Sequence, residues 1–105
     1  MRVFLDDCRP TPPELNITNS VMTAQEAIAL LDTGLVTFIS LDHDLGDEAV
    51  VGSGYQVAKH IEEQAYYGGI PPLKWAIHSA NAVGRKNMEA ALKSAERYWN
   101  KERVL

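Results

Sequence analysis

Cysteine is nearly absent: Cys8 stands alone among 105 residues. A lone cysteine excludes an internal disulfide framework and suits a reducing compartment. Long apolar runs are missing as well. None approaches the about 20 residues that a bilayer-crossing helix needs, and the N-terminus lacks the apolar stretch of a signal peptide. These absences predict a cytoplasmic protein without a membrane partner. No Gly/Ser-rich or Gln/Asn-rich tract reads as a linker. Positive charge is in short supply, with ten Lys and Arg against fourteen Asp and Glu and a formal net charge of −4. Non-specific binding to nucleic acid draws on many Lys or Arg contacts to phosphate, so a long duplex is a poor ligand. A small phosphorylated molecule or an RNA end fits this charge better.

What is present suits one α/β domain spanning residues 1–105. Apolar residues make up 46% of the chain, and at this length folding buries roughly two-thirds of the unfolded surface, enough for one core. Val3-Phe4-Leu5 is a short buried strand that stops at Asp6-Asp7. Three prolines between Cys8 and Pro13 exclude a regular strand or a long helix, leaving room for one helical turn at Thr11–Glu14. Residues 17–22 form a weak second strand. Thr23-Ala24-Gln25-Glu26 matches a capping box; Ala24, Ala27, Ile28 and Leu31 follow at helical spacing, and Gly34 closes the helix. Leu35–Leu41 is a third strand. After a loop rich in Asp and Gly, Gly54 opens a second helix that Gly68-Gly69 end. Leu73–Ile77 is the fourth strand, and a last helix from near Ala82 carries Met88, Ala91, Leu92, Ala95 and Trp99 on one face. Strands alternating with helices predict about four parallel strands and three main helices, with the sheet covered on both faces.

Ligands of open parallel sheets bind beyond the carboxyl ends of the strands. Three of these strands end in polar residues there: Asp6-Asp7 with Arg9 close behind, Asp42-His43-Asp44, and His78-Ser79 followed by Asn81. Four carboxylates in one place repel unless protonated, solvated or neutralised by a cation. Asp6, Asp7, Asp42 and Asp44 are therefore candidate metal ligands. Their oxygens favour Mg²⁺, Mn²⁺ or Ca²⁺, and coordination by both His43 and His78 would move the preference toward Mn²⁺ or another transition metal. Ser79 and Asn81 open the last helix, whose free N–H groups with Arg85 suit an anion. The bland readings are solvated turns for the acids and plain helix caps for Ser79 and Asn81. Cys8 beside two acids has its thiolate disfavoured, His60 reads as a surface residue, and Trp75 and Trp99 as core.

The segments FLDDCRP, ISLDHDLG and IHSANAVGRKNM, in this order, resemble the cyclic-phosphate-processing receiver-like domain, a small relative of response-regulator receivers. The resemblance implies a reduced receiver or flavodoxin-like fold and a role in handling cyclic phosphates. Asp6 and Asp7 match the acidic pair that binds Mg²⁺ in receivers. Asp42 or Asp44 matches the phosphorylated aspartate, Asp42 being nearer the strand end, and Ser79 matches the hydroxyl residue after the fourth strand. The receiver lysine and first helix have no counterpart, so Arg85 or Arg9 would supply the cation toward phosphate, and Ala82 stands where the family pattern has proline. On this reading the chain is a metal-assisted phosphoesterase for a cyclic phosphate or phosphodiester. Asp42 with His43 or His78 is catalytic, and Arg9, Ser79, Asn81 and Arg85 bind phosphate. The alternatives are a phosphate- or cyclic-nucleotide-binding module without turnover and a degenerate phosphoacceptor receiver.

Overall fold

A computed structural model describes residues 1–104, with side chains to residue 101. In chain order the elements are β1 (Arg2–Leu5), a 3-10 turn (Pro13–Leu15), β2 (Asn19–Val21), α1 (Ala24–Leu31), β3 (Phe38–Leu41), α2 (Glu48–Val51), α3 (Gly54–Tyr67), β4 (Lys74–Ile77) and α4 (Ala82–Val104). The strands form one parallel sheet in the order β2-β1-β3-β4, the expected α/β arrangement. No described helix is long and apolar enough to cross a membrane.

Local chemistry sets the boundaries. The Thr23 hydroxyl oxygen accepts the Glu26 N–H at 3.1 Å and opens α1. The Glu26 carboxylate meets that same hydroxyl, at 3.1 Å, instead of the free backbone N–H of a full capping box. Ser53 caps α3 by accepting from Gln56 N–H, and Gly68 ends it in the left-handed region. The short α2, inside the segment read as loop, starts where Asp47 accepts the Ala49 N–H at 3.1 Å. β2 and β3 are shorter than the sequence pattern suggests, because Ile17, Thr18 and Leu35–Thr37 lie outside the ladders.

The expectation of a sheet covered on both faces is corrected. Register aligns Val3 with Ile39 and Leu5 with both Leu41 and Val21, so these side chains share one face. That face meets Ala27 and Leu31 of α1, Val57 and Ile61 of α3, and Met88, Leu92 and Trp99 of α4 in a single core. Val3, Leu5, Ile39 and Leu41 are fully buried there, and burying each such side chain is worth about 1.5–3 kcal/mol. The opposite face carries Arg2, Phe4, Ser20, Phe38, Ser40, Lys74 and Ala76, and none of these belongs to that core. The β1–β2 connection, which holds the 3-10 turn, replaces a crossover helix. Arg2 stacks 4.3 Å above the Phe38 ring and donates to the Leu15 carbonyl at 2.8 Å. Polar side chains and a loop therefore cover what a helix would otherwise cover.

Candidate functional site at the carboxyl edge

Strand parity decides which polar groups meet. Asp6, Asp42 and His78 each stand one residue past β1, β3 and β4, in phase with Phe4, Ser40 and Ala76. All three therefore lie on the face without helices, and one ligating atom from each falls within 4.8 Å of the others. Asp6 and Asp42 are buried and His78 is half-buried.

Asp6 is the best-anchored member. Its Oδ1 accepts the N–H groups of Cys8 and Arg9, both at 2.9 Å. Its Oδ2 lies 2.9 Å from His78 Nε2 and 3.9 Å from Arg9 Nε. Burial pushes the Asp6 carboxyl pKa up, but the Arg9 and Cys8 N–H groups and His78 outweigh it and hold the group below the ordinary carboxylate value. The His78 ring lies parallel to Phe4, centroids 4.4 Å apart, and its Nδ1 is 2.7 Å from Ser40 Oγ. Arg9 Nη1 donates to the His78 carbonyl, so Arg9 places the cation expected near phosphate beside Asp6. Asp42 Oδ1 accepts the His43 N–H at 2.8 Å. Gly54 is required behind it, since a Cβ there would fall 1.9 Å from the Asp42 carbonyl oxygen.

A second cluster forms where α4 begins. His43 Nδ1 pairs with Asp44 Oδ1 at 2.8 Å, and Asn81 Nδ2 reaches the two Asp44 oxygens at 3.4 and 3.3 Å. Asn81 Oδ1 accepts the Gly84 N–H at 2.8 Å and so caps α4. The His43 ring rests on Gly84, where a Cβ would come within 2.5 Å of ring carbons. The His43 bond holds the Asp44 carboxyl below its usual pKa; burial works against it, and the bond from Asn81 adds to the lowering. The buried Ser79 hydroxyl accepts the Asn81 N–H at 3.1 Å, and the Ser79 carbonyl takes Arg85 Nη1 at 3.2 Å.

The expected residues thus fall into two groups joined at Asp42-His43. Asp6, Asp42 and His78 converge, with Arg9 beside them. Asp7 forms a neighbouring group with Asp6 and exposed Cys8. Asp44 turns away from the acids toward His43 and Asn81, which separates it from the other three proposed metal ligands. The Cys8 thiol pKa is pushed up, first by the Asp7 charge, with burial and Asp6 adding to it, so a thiolate ligand is disfavoured. His60 bonds Asp32 at 2.7 Å and pins α3 to the end of α1. Sequence reading overlooked Ser40 and Phe4; the signal was a serine inside an otherwise apolar, wholly buried strand, FISL, where a hydroxyl needs a partner.

Two carboxylates that converge beside an imidazole suit a divalent cation such as Mg²⁺ or Mn²⁺. A cavity of about 180 Å³ lined by Phe4, Asp6, Asp7, Arg9, Ser20 and Met22 opens beside them. A larger cavity, about 590 Å³, lies at the other end of the strands among Arg2, Thr37, Lys74, Glu96 and Trp99. It is remote from the aspartate cluster and the imidazoles, and the converging ionisable groups make the carboxyl edge the candidate site.

No curated protein and no solved structure matches the chain. A sequence model described as the cyclic-phosphate processing receiver domain matches residues 1–94. With a four-stranded parallel sheet and polar residues gathered at its carboxyl edge, the chain belongs to the cyclic-phosphate processing receiver family.

Proposed function

We propose that this receiver domain is a cation-assisted phosphoesterase that opens the cyclic phosphate of a nucleotide or an RNA end. The observation that carries this reading is the meeting of Asp6, Asp42 and His78 atoms within 4.8 Å, in a family described by cyclic-phosphate processing. Asp6 and Asp42, with Asp7 on the open side, would hold Mg²⁺ or Mn²⁺. The bound ion supplies Lewis-acid polarisation of a phosphoryl oxygen and orientation of water.

Of the two histidines, His43 suits proton transfer. Asp44 occupies its Nδ1, while its Nε2 has no hydrogen-bond partner among the described residues. An imidazole held through one ring nitrogen, with the other free, is placed to accept and return a proton. His43 takes a proton from water as the water oxygen bonds to phosphorus. It returns that proton to the ribose oxygen released when the P–O ester bond breaks, and a phosphomonoester results. Arg9 and the N–H groups that open α4 add positive potential for the phosphate oxygens.

The test is the full chain incubated with nucleoside 2′,3′-cyclic phosphates and followed by ³¹P NMR. Product is expected with Mg²⁺ or Mn²⁺, none in excess EDTA, and at least a roughly 100-fold lower rate for Asp42→Asn. Full turnover in EDTA would overturn the role of the cation. A second reading, a binding module without turnover, draws on Asp6, whose two oxygens already accept three protein donors. Calorimetric binding of the same nucleotides with no product under any metal would favour it.

A further inference from the structure

Ser40, His78 and Asp6 form a chain of side-chain hydrogen bonds across β3, β4 and β1, with 2.7 Å from Oγ to Nδ1 and 2.9 Å from Nε2 to Oδ2. The residue types are those of a nucleophilic triad, but the burial is wrong for one. Ser40 is 1% exposed, so no phosphorus atom can reach its oxygen. Nor does the hydroxyl have a second partner among the described residues.

These facts select one tautomer. If Nδ1 carried the hydrogen, it would donate to Oγ, and the Ser40 O–H would be buried without an acceptor, which is destabilising. The Nε2 lone pair would then face the Asp6 carboxylate at 2.9 Å, acceptor against acceptor. With the hydrogen on Nε2, Ser40 donates to Nδ1 and Nε2 donates to Asp6, so every group is satisfied. The parallel Phe4 ring fixes the imidazole plane in which both bonds lie.

We infer that Ser40 is a positioning residue: its hydroxyl fixes His78 as the Nε2–H tautomer, which orients the Asp6 carboxylate and keeps His78 itself out of a cation's coordination shell. His78 then supports an acidic ligand from behind, as histidine–carboxylate partners do around metals, and the direct ligands are carboxylates alone. An all-oxygen donor set favours Mg²⁺ over softer ions. The consequence for the cation rests on the proposed function, whereas the tautomer does not.

Long-range ¹H–¹⁵N NMR of the imidazole rings of the full chain, with and without MgCl₂, tests this. The expected result is Nε2–H on His78 in both conditions. Ser40→Ala should lose that single tautomer and weaken Mg²⁺ binding, measured by titration, several-fold. A wild-type His78 with its hydrogen on Nδ1, or an Nε2 that loses its hydrogen when Mg²⁺ binds, would overturn the inference. So would a Ser40→Ala protein with the wild-type His78 spectrum. A chain that shows the expected tautomer but hydrolyses no cyclic phosphate overturns the phosphoesterase reading and leaves the role of Ser40 standing.

Discussion

Two histidine–aspartate pairs flank the carboxyl edge of the sheet, and their lengths barely differ. His78 meets Asp6 at 2.9 Å and His43 meets Asp44 at 2.8 Å. Their surroundings differ sharply. The Asp6 side chain has no exposed area, whereas that of Asp44 is 68% exposed. His78 spends both ring nitrogens on protein partners, and His43 spends one. Distance alone therefore says little about role. A buried carboxylate with three donors is fixed in place, and an exposed one that orients a half-free imidazole is suited to moving protons.

The comparison breaks most readily on stability. Asp6→Ala strands the Cys8 and Arg9 N–H groups and His78 Nε2, and should cost about 3 kcal/mol in chemical denaturation. An Asp6→Ala protein as stable as wild type would show that this network is idle. The same carboxylate sets an acid dependence. The Asp6 pKa is lowered in the fold, so the folded state binds fewer protons than the unfolded chain. Its stabilisation is full above the unfolded value of about 4 and is lost as pH falls through the lower folded value. Asp6→Asn should accordingly flatten the loss of stability below about pH 4.

The exposed pair shows itself in turnover and hardly at all in stability. His43→Ala should lower kcat about 100-fold or more while shifting stability by less than about 1 kcal/mol. Unchanged kcat in this variant would move the proton-transfer role elsewhere and leave the His43–Asp44 pair as a surface feature.

Much of this was legible before any coordinates. The apolar runs at Val3–Leu5 and within Leu35–Leu41, the Thr23 cap and Gly68 located their elements because each is a local signal. The acids at strand ends were legible too, since a parallel sheet sends all its carboxyl ends to one edge. What stayed hidden depended on register and side. The alternation of strands and helices does not say on which face each crossover lands, and with no helix between β1 and β2 all three long helices gathered on one face. The four-residue α2, held by an Asp47 cap, is too short to show a period. Whether Asp44 would join the acids or Asn81 turned on a loop path that residue spacing does not encode. Ser40 could have been suspected from its strand, but its partner His78 is 38 positions away.

The smallest effect sharpens the contrast most. Asp44→Asn keeps an oxygen for the His43 N–H and for Asn81, so it removes charge and little else. The fold holds the Asp44 pKa low through the His43 bond first, but solvent screens a carboxylate this exposed. Its stability cost should be only a few tenths of a kcal/mol, in the range of surface ion pairs. About 1 M salt shortens the screening length to about 3 Å and should erase even that difference. The Asp6→Ala deficit should persist in the same salt, because what is lost is the part-buried hydrogen bonds of the Cys8 and Arg9 N–H groups and of His78, which mobile ions do not replace. Denaturation of both variants at low and high salt provides the comparison. If Asp44→Asn proves as costly as Asp6→Ala, or if salt abolishes both deficits alike, burial is not what separates the two pairs.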